Sequence, residues 1–152
     1  MTRWLDDYEP GLVERFGAFP VEREAIFAFA RLYDPQDFHL DDAAAAANPL
    51  FGRLAASGWQ SAGIAMRLLV EHRRARGDLT PVLAGAGVDE LRWLKPVYAG
   101  DTLSLEWEVL EVTPSRSKPD RGTMRSRSTL HNQHGERVMT FVATELIRRR
   151  VV

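Results

Sequence analysis

One helical segment limits what this chain can fold into more than any other. Within residues 58–76, the side chains Ala62, Ile64, Ala65, Met66, Leu68, Leu69 and Val70 leave almost no polar side. A helix that is apolar nearly all round is enclosed by the rest of its fold. Ser57 stands in front of Gly58 and Trp59 as an N-cap, because a hydroxyl accepts one of the free N–H groups of a first turn. Arg73, Arg74 and Arg76 crowd the last turn, where cations suit the negative end of the helix dipole. Gly77 offers a left-handed stop. At 1.5 Å per residue the segment spans about 28 Å.

The second half of the chain supplies the enclosure. From about Val88 the apolar period changes to two. Leu103, Leu105, Trp107 and Val109 alternate with polar neighbours, which gives a strand with one apolar face. The alternation slips at Leu110, the mark of a bulge. Residues 91–97, 123–130 and 138–147 are the other strand candidates. Ala99-Gly100-Asp101, residues 114–122 and Asn132-Gln133-His134-Gly135 are the turn signals between them. Connections this short imply antiparallel pairing. Upstream, Ile26, Phe29, Ala30 and Tyr33 place a short amphipathic helix over 22–33. It must end at Asp34, because Pro35 pushes the residue before it out of the helical region, and 34–39 is expected to be irregular. Residues 43–47 read as a helical turn. The expected fold class is α+β over a single domain, 1–152: an antiparallel β-sheet wrapped around a long central α-helix. Open sheet edges invite a second copy, so a homodimer is expected.

Composition removes whole classes of function. With 45% hydrophobic residues and a net charge of -1 over 152 residues, the chain buries a full core and is not disordered. It has no cysteine, which removes disulfides, thiolate metal sites and cysteine nucleophiles. No apolar run approaches the roughly 20 residues of a membrane span. The acidic start, Met1-Thr2-Arg3-Trp4-Leu5-Asp6-Asp7-Tyr8, lacks the apolar stretch of a signal peptide. A cytoplasmic protein with no membrane partner is expected. Near-neutral charge argues against nucleic acid as a partner. The charge is uneven, however: residues 1–60 hold 5 basic and 10 acidic side chains, and 114–152 hold 9 basic and 3 acidic. Arg116, Lys118, Arg121, Arg148, Arg149 and Arg150 either meet the phosphates of a carrier or simply solvate a hairpin and a strand end.

Four histidines can carry chemistry: His39, His72, His131 and His134. His72 sits among arginines at the helix end and reads as a dipole cap. His131 and His134 flank a turn and read as solvated. His39 differs, because it lies in the irregular segment with Asp34 and Asp37. A carboxylate and an imidazole can share one water, which suits addition or removal of water across a double bond. The same two residues can also merely close a loop, with Asp34 capping the turn. Asp34, Asp37, His39 and Asp41 lack the spacing of a calcium loop, and one histidine is too few for zinc, so no metal is expected. Ser57-Gly58 has no strand-to-helix elbow, and Gly85-Ala86-Gly87 has no third glycine, so neither a serine triad nor a dinucleotide site is indicated.

Tyr33-Asp34-Pro35-Gln36-Asp37-Phe38-His39-Leu40-Asp41, then Phe51-Gly52 and Ala56-Ser57-Gly58-Trp59, resembles the MaoC-like dehydratase family. This hot-dog-fold group includes the (R)-specific enoyl-CoA hydratases. Arg92-Trp93-Leu94-Lys95-Pro96-Val97-Tyr98-Ala99-Gly100-Asp101 resembles the family's strand–turn segment, and 114–118 its hairpin. The resemblance implies that Asp34 and His39 are the catalytic pair that holds the reacting water. It implies that the Gly58 N–H points at the thioester carbonyl, where a free helix N–H would stabilise an enolate oxygen and glycine would let substrate approach closely. Ser57 and Trp59 beside it become candidate substrate-binding residues, and Trp93 or Trp107 a wall for the acyl chain. The implied reaction is reversible hydration of a trans-2-enoyl-CoA or acyl-carrier thioester to an (R)-3-hydroxyacyl thioester. It needs no cofactor beyond the coenzyme A or acyl-carrier thioester of the substrate. The chain departs from the family at Gln36-Asp37, where Asn-Pro is usual, and at Ser57, where histidine is frequent. Asp37 either raises the Asp34 pKa by like-charge repulsion or points to solvent. Two other readings stand beside the hydratase. One is a hot-dog acyl-CoA thioesterase, which residues 58–70 disfavour because they hold no carboxylate. The other is a non-catalytic partner subunit of a heteromeric dehydratase.

Overall fold

The long helix forms where its cap and stop signals stand. In the computed structural model, which describes residues 1–150, it runs Gly58–Ala75. The Trp59 N–H donates to Ser57 Oγ at 3.3 Å, and Gly77 takes a φ of +62°. In chain order the elements are β1 (Val13–Pro20), α1 (Arg23–Tyr33), α2 (Asp37–Leu40), α3 (Asp42–Ala47) and α4 (Gly58–Ala75). Then follow β2 (Val82–Trp93), β3 (Thr102–Pro114), β4 (Arg121–His131) and β5 (Arg137–Arg148). The strands form one antiparallel sheet in the order β1-β3-β4-β5-β2. Its inner face packs on α4. Leu103, Leu105, Trp107 and Val109 from β3 meet Ile64, Ala65, Leu68 and Leu69 from α4 in one buried cluster. Burying each large apolar side chain contributes about 1.5–3 kcal/mol. The register of β3 against β4 shifts between Val109 and Glu111, so Leu110 is a bulge as its sequence suggests.

The sequence expectation needs four corrections. The sheet has a strand ahead of the helices, β1, which alternation did not reveal, because its inward side carries Glu14 as well as Phe16 and the register breaks at Gly17-Ala18. The strand expected at 91–97 is β2, which begins earlier at Val82 and ends at Trp93. The stretch 34–39 is not wholly irregular, since Asp37–Leu40 makes one helical turn. Finally, α4 is covered on one side only within the chain. Gln60, Ser61, Ile64, Ala65, Leu68 and Leu69 are buried, whereas Met66 is 52% exposed. Its open side borders a groove of about 440 Å³ under β2 and β5. Apart from Leu91, every residue of β2 is exposed, on an edge strand that among the described residues pairs only with β5.

Charge pairs fasten the ends of the chain. The basic C-terminal run meets the chain's own acidic start: Arg149 lies 2.7 Å from Asp6 and Arg150 2.8 Å from Asp7. His72 does more than cap α4. Its Nε2 sits 2.8 Å from Glu14, and its ring stacks on Phe16 at 3.8 Å. Arg3 and Arg76 reach the same carboxylate at 2.9 and 2.7 Å, so Glu14 ties β1 to the far end of α4. Burial pushes the Glu14 pKa up. Hydrogen bonds from Arg3, His72 and Arg76 outweigh that and hold it at about 2, below the usual 4.5. A depressed carboxylate stabilises the fold above its unfolded pKa, and that stability is lost as pH falls through the folded value. Glu14→Gln should therefore cost on the order of 1–2 kcal/mol at pH 7 after allowance for solvent screening. Denaturant titrations should show the difference from the parent shrinking as pH drops from 4.5 toward 2.

Candidate active site

Asp34 and His39 reach one another because α1 stops where it does. Asp34 leaves the helix with φ −148° and ψ 68°, its N–H still bonded to Ala30 O. Pro35 follows, and the chain re-enters helix one residue past Gln36, where the His39 N–H donates to Gln36 O at 2.9 Å. The single turn of α2 swings the imidazole back over Asp34. His39 Nε2 then stands 3.3 Å from Asp34 Oδ2. His39 is 4% exposed, and its ring packs beside Phe38 and Phe51.

The other ring nitrogen settles the tautomer. His39 Nδ1 lies 2.7 Å from the Ala55 carbonyl. A carbonyl only accepts, so Nδ1 carries a hydrogen and Nε2 is the atom that gains or loses a proton on the Asp34 side. Asp34 is held in its charged form. Burial works to raise its pKa, but hydrogen bonds from Gln36 and Ser57, with His39 alongside, bring it below the usual value of 3.8. The Gln36 bond is 2.7 Å. Asp37 is exposed, so of the two expectations for it, contact with solvent holds, and the Asp34 pKa is lowered rather than raised.

Both members of the pair line a cavity of about 500 Å³. Gly58, Trp59 and Trp93 are in its wall, with Phe51 and Val97 among the apolar residues. Ser57 is fully buried. It accepts from the Trp59 N–H and helps to hold Asp34, so it lies behind the wall. Trp107 is 2% exposed in the core and lies outside the cavity. The free space expected beside Gly58 is taken by the chain itself. A Cβ on Gly58 would stand 2.3 Å from both Nε1 and Cε2 of Trp93, whose ring meets Trp59 edge-on at 5.1 Å.

Three contributors escaped the sequence reading. Gln36 donates to Asp34, Lys95 lines the cavity while paired with Glu136, and the Ala55 carbonyl orients His39. A carbonyl leaves no mark in a sequence. Gln36 was legible only as a departure from a motif. Arg116 and Lys118 are exposed on the β3–β4 hairpin, and Arg121 and Arg148 pair with Asp120. Glu71, the first carboxylate along α4, is bound to Arg67 at 2.7 Å. Among the described residues no group of three or more His, Cys, Asp or Glu could hold a metal ion. No helix among them is long and apolar enough to cross a membrane.

An antiparallel sheet curled on one long helix, with an acid–imidazole pair beside the start of that helix, defines a hot-dog protein equipped for proton transfer. Residues 12–132 match the model of the MaoC like domain, and the chain belongs to that family. A MaoC-like dehydratase from Rhodospirillum rubrum superposes with a TM-score of 0.86 at 41% identity, covering 99% of both chains. The (R)-hydratase from A. caviae involved in PHA biosynthesis superposes with a TM-score of 0.67 at 26% identity, over 91% of this chain and 96% of that one. An uncharacterized protein of Bacillus subtilis (strain 168), YdeM, is 30% identical over 145 residues, 95% of this chain and 99% of its own length.

The contact between Gly58 and Trp93 makes a stability prediction. Gly58→Ala should cost about 1–3 kcal/mol through overpacking. In a Trp93→Ala background the same change should cost clearly less, as a double-mutant cycle of thermal or denaturant unfolding would show. Equal costs in both backgrounds would place the indole elsewhere.

Proposed function

We propose that the protein is a hydro-lyase that adds water reversibly to a trans-2-enoyl thioester, giving an (R)-3-hydroxyacyl thioester. The observation that carries this reading is the 3.3 Å approach of His39 Nε2 to Asp34 Oδ2 in the wall of a cavity that also reaches Gly58. Membership of the MaoC family and the likeness to an (R)-hydratase support it.

In this reading one water in the cavity bonds to both the carboxylate and Nε2. Its oxygen bonds to C3 while one of its protons passes to the pair. The double bond shifts its electrons toward the carbonyl, giving an enolate. The pair then returns a proton at C2, and the thioester carbonyl re-forms. The close approach of Asp34 to Nε2 lets the proton move between them, so the pair ends in its starting charge state. The unused N–H groups at the start of α4 polarise the carbonyl oxygen. No cofactor takes part beyond the coenzyme A or carrier that bears the acyl group. A second copy laid along the open edge of β2 completes the reading as a homodimer. Val82, Leu83 and Val88 there, with Met66 across the groove, are large apolar side chains left exposed, and such a patch marks an interface. A cytoplasmic setting suits this chemistry.

The test is hydration of crotonyl-CoA, followed by loss of enoyl absorbance. Asp34→Asn and His39→Ala should each lower kcat by at least about 10²-fold, the scale of a lost general acid or base. Parent-level turnover in both variants would refute the assignment. Release of free thiol with no hydrated product would instead favour a thioesterase.

A further inference from the structure

The wall of the catalytic cavity divides by exposure. Leu50, Trp59, Trp93 and Leu94 are exposed and form its mouth, whereas His39, Ala56, Ser61, Val97 and Val138 are buried and form its floor. Three of the floor residues are apolar, and the His39 ring is engaged by Asp34 and the Ala55 carbonyl. Ser61 is the remaining polar group. It is 2% exposed and stands three residues beyond Gly58 on α4, so the two share one helix face. Its N–H is committed to the Ser57 carbonyl at 3.2 Å. Its hydroxyl has no hydrogen-bond partner among the described residues, and it is not sealed in the core as Gln60 Oε1 and Trp107 Nε1 are. The fold thus keeps an unpaired hydroxyl on the floor of the site.

We infer that Ser61 determines specificity: its hydroxyl pairs with a hydroxyl on the acyl chain, so the substrate is a short enoyl thioester hydroxylated beyond C3. The inference rests on the hydratase reading above, which sets the carbonyl at Gly58 and C3 at the catalytic pair. The carrier arm then leaves by the mouth, and the acyl atoms beyond C3 lie on the floor. A hydrocarbon end there would shut water away from Ser61 and leave its hydroxyl unpaired, which is costly. A substrate hydroxyl would satisfy it, since serine both donates and accepts. A carboxylate fits less well, because it would share the cavity with Asp34 and lack a free cation on the floor. Lys95, the cation in the wall, is exposed and paired with Glu136.

The test compares 4-hydroxycrotonyl-CoA with crotonyl-CoA, and 5-hydroxypent-2-enoyl-CoA with pent-2-enoyl-CoA, so that the hydroxyl is offered at C4 and at C5. On the parent protein kcat/KM should favour the hydroxylated member of at least one pair by about tenfold or more, the scale of one satisfied hydroxyl. Ser61→Ala should lose that preference, whatever its absolute rate. The ratio between parent and variant removes any intrinsic effect of the hydroxyl on the double bond. A second readout needs neither turnover nor a variant. By calorimetry the parent should bind 4-hydroxybutyryl-CoA or 5-hydroxyvaleryl-CoA more tightly than butyryl-CoA or valeryl-CoA by a similar factor. Equal binding of the hydroxylated and plain analogues overturns the inference, as does a preference that is the same in parent and Ser61→Ala. Faster hydration of fumaryl-CoA, which carries a carboxylate at C4, than of every neutral substrate overturns it too. In each of these cases hydration of crotonyl-CoA leaves the hydratase reading standing. If the parent hydrates none of these thioesters and binds none of the saturated analogues, both are overturned.

Discussion

The buried connection over residues 54–57 is where fold and site meet. The Ala56 N–H donates to the Val97 carbonyl at 2.7 Å, and Ala55 forms a bridge with Tyr98. Those bonds lock the segment to the chain leaving β2. The Ala55 carbonyl is then free to hold His39 Nδ1 from the other side. Immediately afterwards Ser57 caps α4 and supports Asp34. A buried backbone group without a partner is costly, so each of these bonds resists being given up. One short segment thus orients the imidazole, steadies the carboxylate and sets where the helix begins.

The surrounding architecture keeps that segment still. The sheet presents a continuous apolar face, and α4 fills its curve through Ile64, Ala65, Leu68 and Leu69. Glu14 and its three partners pin the far end of the helix to β1. With both ends held, the start of α4 cannot drift from the α1–α2 turn that carries Asp34 and His39. The pair is built from a helix stop and one turn of helix, elements too short to hold position by themselves. Their geometry is borrowed from the core beneath them.

What the sequence disclosed follows from how local each feature is. The limits of α4 were readable because Ser57, the arginines and Gly77 act on adjacent residues. The pairing of Asp34 with His39 was readable because Pro35 forces the chain out of helix at a known point. The edge strands were the weak places. β1 turns a charged Glu14 inward, and β2 carries Gly85 and Gly87 in its first half, so neither shows a clean period of two. Trp93 beside Gly58 joins the end of one strand to the start of the helix before it. Nothing in the local pattern of either residue announces that contact. The expectation that α4 is enclosed on all sides reads its apolar composition correctly, but within one chain the enclosure stops at Met66.

The central claim is that Asp34, His39 Nε2 and the start of α4 converge on one acyl thioester. A crystal structure with butyryl-CoA bound tests it most directly. The account predicts the carbonyl oxygen at a donor distance of about 3 Å from the Gly58 N, with C3 facing the gap between the carboxylate and the imidazole. A thioester seated instead in the groove between α4 and β2, with its carbonyl away from Gly58, would contradict it.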